Sequence, residues 1–129
     1  MIVLDTHVWF FWTNDSISSL SKNALQAIET SDILGINIIS CWEIAMLVVK
    51  GRIKLSLDVQ TWINEALNYP KIKLLSIDPE IAVLATRLPG DFHGDPADRF
   101  IAACCMKHQL PLISKDKKIH DWGYVKTIW

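Results

Sequence analysis

Acidic residues follow or open apolar stretches at four separate points of the 129-residue chain. They are Asp5 after "IVL", Glu43 after "ILGINIIS", Asp95 and Asp98 in "HGDPADRFIAACCM", and Asp116 after "LPLIS". Carboxylate oxygens are the ligands that hard divalent cations such as Mg²⁺ and Mn²⁺ prefer. If the acids meet in the fold, they repel one another unless their pKa values rise or cations bind among them. A pair of such cations ~3.5–4 Å apart can activate water and stabilise the leaving oxygen of a phosphodiester.

The stretches around these acids alternate between strand and helix patterns. Short apolar or β-branched runs predict strands at residues 2–4, 32–40, 71–77, 110–114 and 124–129. Helical spacing and helix-start signals predict helices at 6–12, 21–31, 41–52, 56–68, 78–88 and 96–108, with a short helical turn at 115–119. This alternation predicts one α/β domain around a mostly parallel sheet. Because the strands are uniformly apolar, we expect helices to cover both faces of the sheet.

The order of the elements predicts that the acids meet. In open parallel sheets, ligands bind beyond the carboxyl ends of the strands. Asp5, Glu43 and Asp116 each come shortly after a predicted strand. The helix at 96–108 leads into the next strand, so its acidic start must lie on the same edge. Asp78 also follows a strand, but its "DPE" context is explained by helix capping, and we exclude it from the cluster.

Each acid also has a purely structural explanation. Asp95 with the proline after it is typical helix-start chemistry, in which the Asp caps the helix and the Pro takes its first position. Asp98 and Glu43 could interact favourably with the dipole of a first helical turn. Asp5 could cap the following helix, and Asp116 could lie in a solvated turn. Whether Asp95 joins the metal ligands or only caps its helix stays open.

The composition is that of a globular protein. Half of the residues are hydrophobic, 21% are charged, and the formal net charge is −1. These values exclude the disordered class and fit one domain. A near-neutral chain has no overall attraction to nucleic acid, so a nucleic-acid site would need local positive charge or bound cations.

The cysteines and the apolar runs indicate where the protein works. Cys41, Cys104 and Cys105 form neither a disulfide framework nor a zinc pair, so we expect buried free thiols in a reducing compartment. The opening "MIVLD" is unlike a secretory signal. The longest apolar runs are far shorter than the ~20 residues that span a bilayer. We therefore expect a cytoplasmic protein with no membrane partner.

Five stretches of the chain together resemble the PIN-domain ribonucleases, and more narrowly the VapC-type toxins of toxin–antitoxin pairs. They are "IVLDTHVWFFW", "ISCWEIAMLVVKGRIKL", "LPGDFHGDPADRFIAA", "LPLISKD" and "YVKTIW", in family order. The resemblance implies a single PIN-like domain over residues 1–129, folded as a three-layer α/β/α sandwich around a mostly parallel sheet. It implies endoribonuclease activity that depends on Mg²⁺ or Mn²⁺. It also implies a homodimer and a small antitoxin protein as partner.

The resemblance also assigns roles to individual residues. The matching catalytic acids are Asp5, Glu43, Asp98 and Asp116. The same acids together with Asp95 would form the metal site, with Glu43 assisting or orienting a water that attacks the phosphodiester. Small hydroxyl positions beside the acids are expected to support them; these are Thr6, Ser40 and Ser114.

Several basic side chains near the acids have two explanations each. Arg99 could contact an RNA phosphate or pair with an acid. His7 could touch RNA, although a lone histidine is more often structural. Lys115, Lys117 and Lys118 could supply local positive charge, but a solvated surface is the favoured explanation.

Two further features concern aromatic and histidine residues. The run "WFFW" at residues 9–12 is too long for one helix face to bury in one core, so part of it is expected to meet another chain or to be divided between core and surface. The histidines have no zinc-site spacing. His108 falls on the apolar face of the helix at 96–108 and is expected to be structural.

Two other functions fit parts of the pattern. A catalytically inactive PIN-like binding module would use the same fold for partner sequestration, with structural acids. A phospho-acceptor receiver domain fits less well, because such domains need an acidic pair after the first strand and here Thr6 follows Asp5.

Overall fold

The computed structural model describes residues 1–14 and 16–129. The strands there are β1 (Ile2–Leu4), β2 (Leu34–Asn37), β3 (Ile72–Leu75), β4 (Leu112–Ile113) and β5 (Thr127–Ile128). The helices are α1 (Thr6–Thr13), α2 (Lys22–Thr30), α3 (Ile38–Val49), α4 (Val59–Leu67), α5 (Pro79–Leu84), α6 (Pro96–His108) and α7 (Lys117–Trp122), with a 3₁₀ turn at Ile17–Ser19. Within these residues, no helix is both long and apolar enough to cross a membrane.

The strands form one parallel sheet in the order β3-β2-β1-β4-β5. Its register pairs Ile2 with Leu34, Val3 with Leu112, and Leu112 with Thr127. The first strand is therefore central, and the carboxyl ends of all five strands lie along one edge. This confirms the predicted α/β architecture.

Apolar side chains alternate between the two faces of the sheet and define the outer layers. Ile2 and Leu4 pack in a core with α1, α2 and α4. Val3, one residue out of phase, packs on the opposite face with α6 and α7, and a smaller cluster joins α5 to α6. The helices on both faces give the predicted three-layer α/β/α sandwich.

The aromatic run at 9–12 is distributed over several surroundings in the same chain. Trp9 is fully buried, and its ring lies 5.3 Å from that of Trp62. Phe10 also packs on Trp62, and Trp12 contacts Tyr69 edge-on at 5.7 Å. Phe11 lines the cleft described below. Contact of this run with another chain stays a prediction.

Two sequence predictions about strands are wrong in detail. The second strand was predicted to reach residue 40, but it ends at Asn37, whose side-chain oxygen accepts a hydrogen bond from the Ile39 amide and caps α3. Glu43 consequently lies in the second turn of α3 rather than the first. Strand β3 is not covered on both faces, because it is an edge strand that leaves Lys73 and Leu74 exposed.

The prediction that His108 is structural is also wrong, because the structure exposes this side chain. His108 is the last residue of α6, and Gln109 leaves the helix in the left-handed conformation at φ 53°. The apolar face of α6 ends instead at Cys104 and Cys105, which are buried free thiols as predicted, whereas Cys41 is only half-buried. The apolar face predicted from the helical spacing of the sequence extends one turn too far, because that spacing does not show where the helix ends.

Truncating Trp9 to alanine should lower the free energy of unfolding by about 3–5 kcal/mol, because it empties the contact with Trp62 in a closely packed core. Trp42, which is 48% exposed on α3, provides the matched control, and Trp42→Ala should change stability by less than about 0.5 kcal/mol. Urea denaturation followed by circular dichroism measures both. Equal losses in the two variants would contradict the packing described here.

Candidate active site

A cleft of about 490 Å³ opens at the carboxyl edge of the sheet. Its walls come from the starts of α1, α6 and α7 and from α3. The lining residues are Asp5, His7, Val8, Phe11, Glu43, Asp95, Asp98, Lys115 and Asp116. The structure thus brings all five predicted acids, from four separate segments, to one cavity.

Asp5 is the most enclosed of these acids. It is 7% exposed at the end of β1, and both of its carboxylate oxygens accept hydrogen bonds. Oδ1 accepts from the Thr6 amide at 2.8 Å, which starts α1, and Oδ2 accepts from the Ser114 hydroxyl at 2.6 Å. Asp5 therefore joins the end of β1 to the segment that follows β4.

The small hydroxyl residues contact the acids or one another. The Ser114 hydroxyl accepts a hydrogen bond from the Asp116 amide at 3.0 Å while it donates to Asp5. The hydroxyls of Thr6 and Ser40 share a hydrogen bond of 2.8 Å, which links α1 to α3. All three hydroxyl side chains are fully buried, so they hold the backbone that carries the acids.

Asp95 caps α6 and lines the cleft at the same time. Its Oδ1 accepts from the Asp98 amide at 3.1 Å, and Pro96 takes the first helical position. The capping explanation for Asp95 is confirmed. It does not remove Asp95 from the acid cluster, because the second carboxylate oxygen is not used by the cap.

Two groups of side chains, one within the cleft and one that includes His93 beside it, have a spacing that could hold a metal ion. One oxygen from each of Glu43, Asp95 and Asp98 lies within 4.8 Å of the others. A second group, with the same spacing, consists of His93, Asp98 and Asp116. Asp98 is common to both. Asp5 belongs to neither group, although it lines the same cleft.

Burial and mutual repulsion raise the pKa values of three acids in the cleft, Asp5, Glu43 and Asp98. Burial is the main cause of the raised pKa of Asp5 and of Glu43. The pKa of Asp98 rises to about 7, chiefly through burial and then through the charge of Asp5, while its hydrogen bond with His93 lowers it. A cluster that holds its negative charge so poorly is stabilised by a bound cation.

Asp78, which the sequence excluded, has the opposite electrostatics. It caps α5 by accepting from the Ile81 amide, and it forms an ion pair with Lys107. This hydrogen-bonded ion pair lowers the pKa of Asp78. Asp78 therefore has its own counter-charge and needs no cation.

The comparisons with known proteins identify the family. The sequence profile of the PIN domain matches residues 2–123. The chain belongs to the PIN domain family. Ribonuclease VapC22 of Mycobacterium tuberculosis (strain ATCC 25618 / H37Rv) is 35% identical over 130 residues, which cover 99% of this chain and 98% of that protein. The predicted resemblance to PIN-domain proteins, and to the VapC proteins among them, is confirmed.

Solved structures share this PIN-domain fold at low sequence identity. DNA-bound VapBC from Salmonella typhimurium superposes with a TM-score of 0.70 at 14% identity, over 98% of this chain and 97% of that chain. VapBC2 from Rickettsia felis, bound to a DNA fragment from its promoter, has a TM-score of 0.68 at 14% identity with the same coverage. At such identity the likeness concerns the fold alone.

The sequence did not assign His93 to the site of this PIN domain, but its side chain contacts one acid of the cleft and lies near a second. Its Nε2 lies 2.6 Å from Oδ2 of Asp98 and 4.0 Å from Oδ2 of Asp116. The available signal was its position in the same stretch as two of the acids. The sequence spacing typical of zinc sites did not reveal His93, because the side chains near it are the carboxylates of Asp98 and Asp116 and not other zinc ligands.

Within the described residues, Arg99 forms no ion pair with an acid, which was one of the two contacts predicted for it. Its guanidinium donates to three backbone carbonyl oxygens, those of His93, Ala85 and Phe92, at 3.0–3.1 Å. These contacts fix the loop that leads into α6 and thereby place His93 and Asp95. An RNA contact of Arg99, or of the exposed His7 on the cleft wall, stays a prediction.

Replacing Arg99 by alanine should lower the free energy of unfolding by about 2 kcal/mol or more, because three half-buried carbonyl groups lose a charged donor. Arg87, an exposed residue just after α5, is the matched control, and Arg87→Ala should have little effect. Urea denaturation gives the global value, and hydrogen exchange of the amides in residues 88–95 reports the loop. Unchanged exchange in Arg99→Ala would contradict this role.

The metal-free protein should lose stability as the pH rises from about 4 to about 7. Folded Asp98 has a pKa of about 7 against an ordinary value of 3.8, so in this window the folded chain binds a proton that the unfolded chain has released. The raised pKa values of Asp5 and Glu43 act in the same direction.

The Asp98→Asn variant, which cannot ionise, should flatten this slope and be more stable than wild type near pH 8 by on the order of 1 kcal/mol. Urea denaturation in the presence of a chelator at several pH values measures the slope. Asp32→Asn, at an exposed position away from the cleft lining, should keep the wild-type slope. A wild-type slope in Asp98→Asn would refute the assignment of this pH dependence to the cleft.

Proposed function

We propose that this PIN domain is a divalent-metal-dependent endoribonuclease and the toxin of a type II toxin–antitoxin pair. The observation that carries the proposal is the convergence of five acids, from four chain segments, on one cleft, where burial raises the pKa values of Asp5, Glu43 and Asp98. Membership of the PIN family and the 35% identity to a protein named Ribonuclease VapC22 support the same activity.

The donor set of the cleft fits Mg²⁺ or Mn²⁺. Glu43, Asp95 and Asp98 offer carboxylate oxygens at the spacing of one cation site, and Asp98 and Asp116 belong to a second such group with His93. We assign these four acids, together with Asp5 of the same cleft, as the metal-holding residues. When bound, such a cation lowers the pKa of a water and stabilises charge on the leaving oxygen of a phosphodiester. Asp5 also accepts a hydrogen bond from the Ser114 hydroxyl, which holds Ser114 in place, and it adds negative charge next to Asp98.

The other residues of the cleft position the reactants. Glu43 lies on α3 with a raised pKa, so its carboxylate is suited to orient a water and to accept its proton at an oxygen atom. Lys115, in the segment between β4 and α7, lines the cleft and can contact a phosphate oxygen of the substrate. Since the chain as a whole carries a net charge of −1, substrate attraction must be local.

We further propose that residues 1–129 act as one domain, that the protein is a cytoplasmic homodimer, and that a small antitoxin protein covers it. A toxin–antitoxin complex from Klebsiella pneumoniae has the same fold, with a TM-score of 0.66 at 20% identity. Ile38 and Trp42, one helical turn apart on α3, are 43% and 48% exposed. Such exposed apolar side chains are typical of surfaces that a protein partner covers.

Asp98→Asn and Asp116→Asn should each reduce RNA cleavage by roughly 100-fold or more, because each removes a charged oxygen that holds the cation. Cleavage of a mixed RNA substrate with Mg²⁺ or Mn²⁺, together with calorimetric titration of Mn²⁺, measures the effect. Asp32→Asn, at an exposed position outside the cleft lining, should retain both activities.

Two results would count against this proposal. If the wild-type protein cleaves no RNA with either cation, the inactive binding module becomes the better explanation. If it cleaves RNA and the two variants at Asp98 and Asp116 cleave as fast, the acid cluster is not the active site.

A further inference from the structure

We propose that His93 supplies an imidazole nitrogen to the divalent cation in the cleft and biases this site toward Mn²⁺ over Mg²⁺. The inference rests on the proposed function, because it takes the acid cluster as the metal site. It adds a nitrogen ligand to a site otherwise composed of carboxylate oxygens.

The position of the ring is the first argument. Nε2 of His93 lies 2.6 Å from Oδ2 of Asp98 and 4.0 Å from Oδ2 of Asp116, so the nitrogen lies near an acid within α6 and near the acid that caps α7. One donor atom from each of these three side chains falls within 4.8 Å of the others. Coordination through Nε2 would replace its hydrogen bond to Asp98 and release the Nε2 proton to solvent.

The second argument is that the ring is held in place before any cation binds. It stacks on Phe92 with 4.5 Å between ring centroids and 19° between planes, and Phe92 itself contacts Trp122 edge-on at 4.8 Å. Arg99 donates to the carbonyl oxygens of both His93 and Phe92. In metalloproteins, packing and hydrogen bonds from neighbouring residues orient the ligand side chains in the same way.

The third argument concerns the choice of metal. Mg²⁺ demands oxygen ligands in a near-ideal octahedron, whereas first-row transition ions accept imidazole nitrogen readily. A site that presents Nε2 of His93 alongside the oxygens of Asp98 and Asp116 should therefore lose less affinity for Mn²⁺ than for Mg²⁺. Removing the imidazole should narrow this preference.

The experiment is pulsed electron paramagnetic resonance of Mn²⁺ bound to the full chain, which detects ¹⁴N nuclei directly coordinated to the ion. We expect ¹⁴N modulation in the wild type and its loss in His93→Gln. His7→Gln is the matched control, because His7 is a histidine that lines the cleft, and this variant should keep the modulation. Titration calorimetry should show the ratio of Mn²⁺ to Mg²⁺ affinity falling about tenfold in His93→Gln.

The possible results separate this inference from the proposed function. If wild-type protein binds Mn²⁺ without ¹⁴N modulation, the role of His93 is overturned while the metal site stands. If the modulation persists in His93→Gln and disappears in His7→Gln, the ligand is the other histidine and the inference is wrong. If wild type binds no Mn²⁺ at all, both proposals fail. Absence of ¹⁴N modulation in wild type would overturn the inference even if a His93 variant does not fold.

Discussion

The buried carboxylate of Asp5 is the interaction on which the candidate site depends. It ends the central strand, and each of its oxygens accepts a hydrogen bond, from the Thr6 amide and from the Ser114 hydroxyl. Ser114 in turn accepts from the Asp116 amide, and its carbonyl accepts from Nε2 of His120 at 2.7 Å. One charged group thus ties the starts of α1 and α7 to the sheet. Displacing it would break hydrogen bonds worth about 1.5–3 kcal/mol each, because they involve a charged acceptor.

Asp5 and the acids around it lower the free energy of unfolding of the metal-free protein. Burial raises the pKa values of Asp5, Glu43 and Asp98, so each carboxylate is less favourable in the folded chain than in water. The two apolar layers, with fully buried side chains such as Trp9 and Ile101 on opposite faces of the sheet, offset this cost. A local conflict of this kind, inside a fold whose other elements agree with their sequence, is typical of a functional site.

The sequence predicted the features that depend on short-range patterns and on chain direction. The alternation of predicted strands and helices identified the parallel sheet, although not the order of its strands. The rule that ligands bind at the carboxyl ends of parallel strands predicted that the acids meet. The sequence did not predict the early start of α3, because a buried Asn37 cap reads like any polar residue inside an apolar stretch. The sequence also did not predict the contacts of His93 and Arg99, since tertiary packing determines which groups these two side chains meet. The exposed face of β3 follows from its edge position, which local patterns do not encode.

Helix capping and metal binding, which competed as explanations of the same acids, coincide in this fold for a physical reason. In a parallel sheet with helical crossovers, the helix N-termini gather at the carboxyl edge, where their unpaired amides attract carboxylates. Asp5, Asp95 and Asp116 accordingly cap α1, α6 and α7 with a carboxylate oxygen while they line the cleft. Capping therefore does not argue against a functional role. What separates Asp78, which also caps a helix, is its pairing with Lys107. This ion pair lowers the pKa of Asp78, whereas burial raises the pKa values of Asp5, Glu43 and Asp98 in the cleft, where a bound cation would stabilise the charged forms.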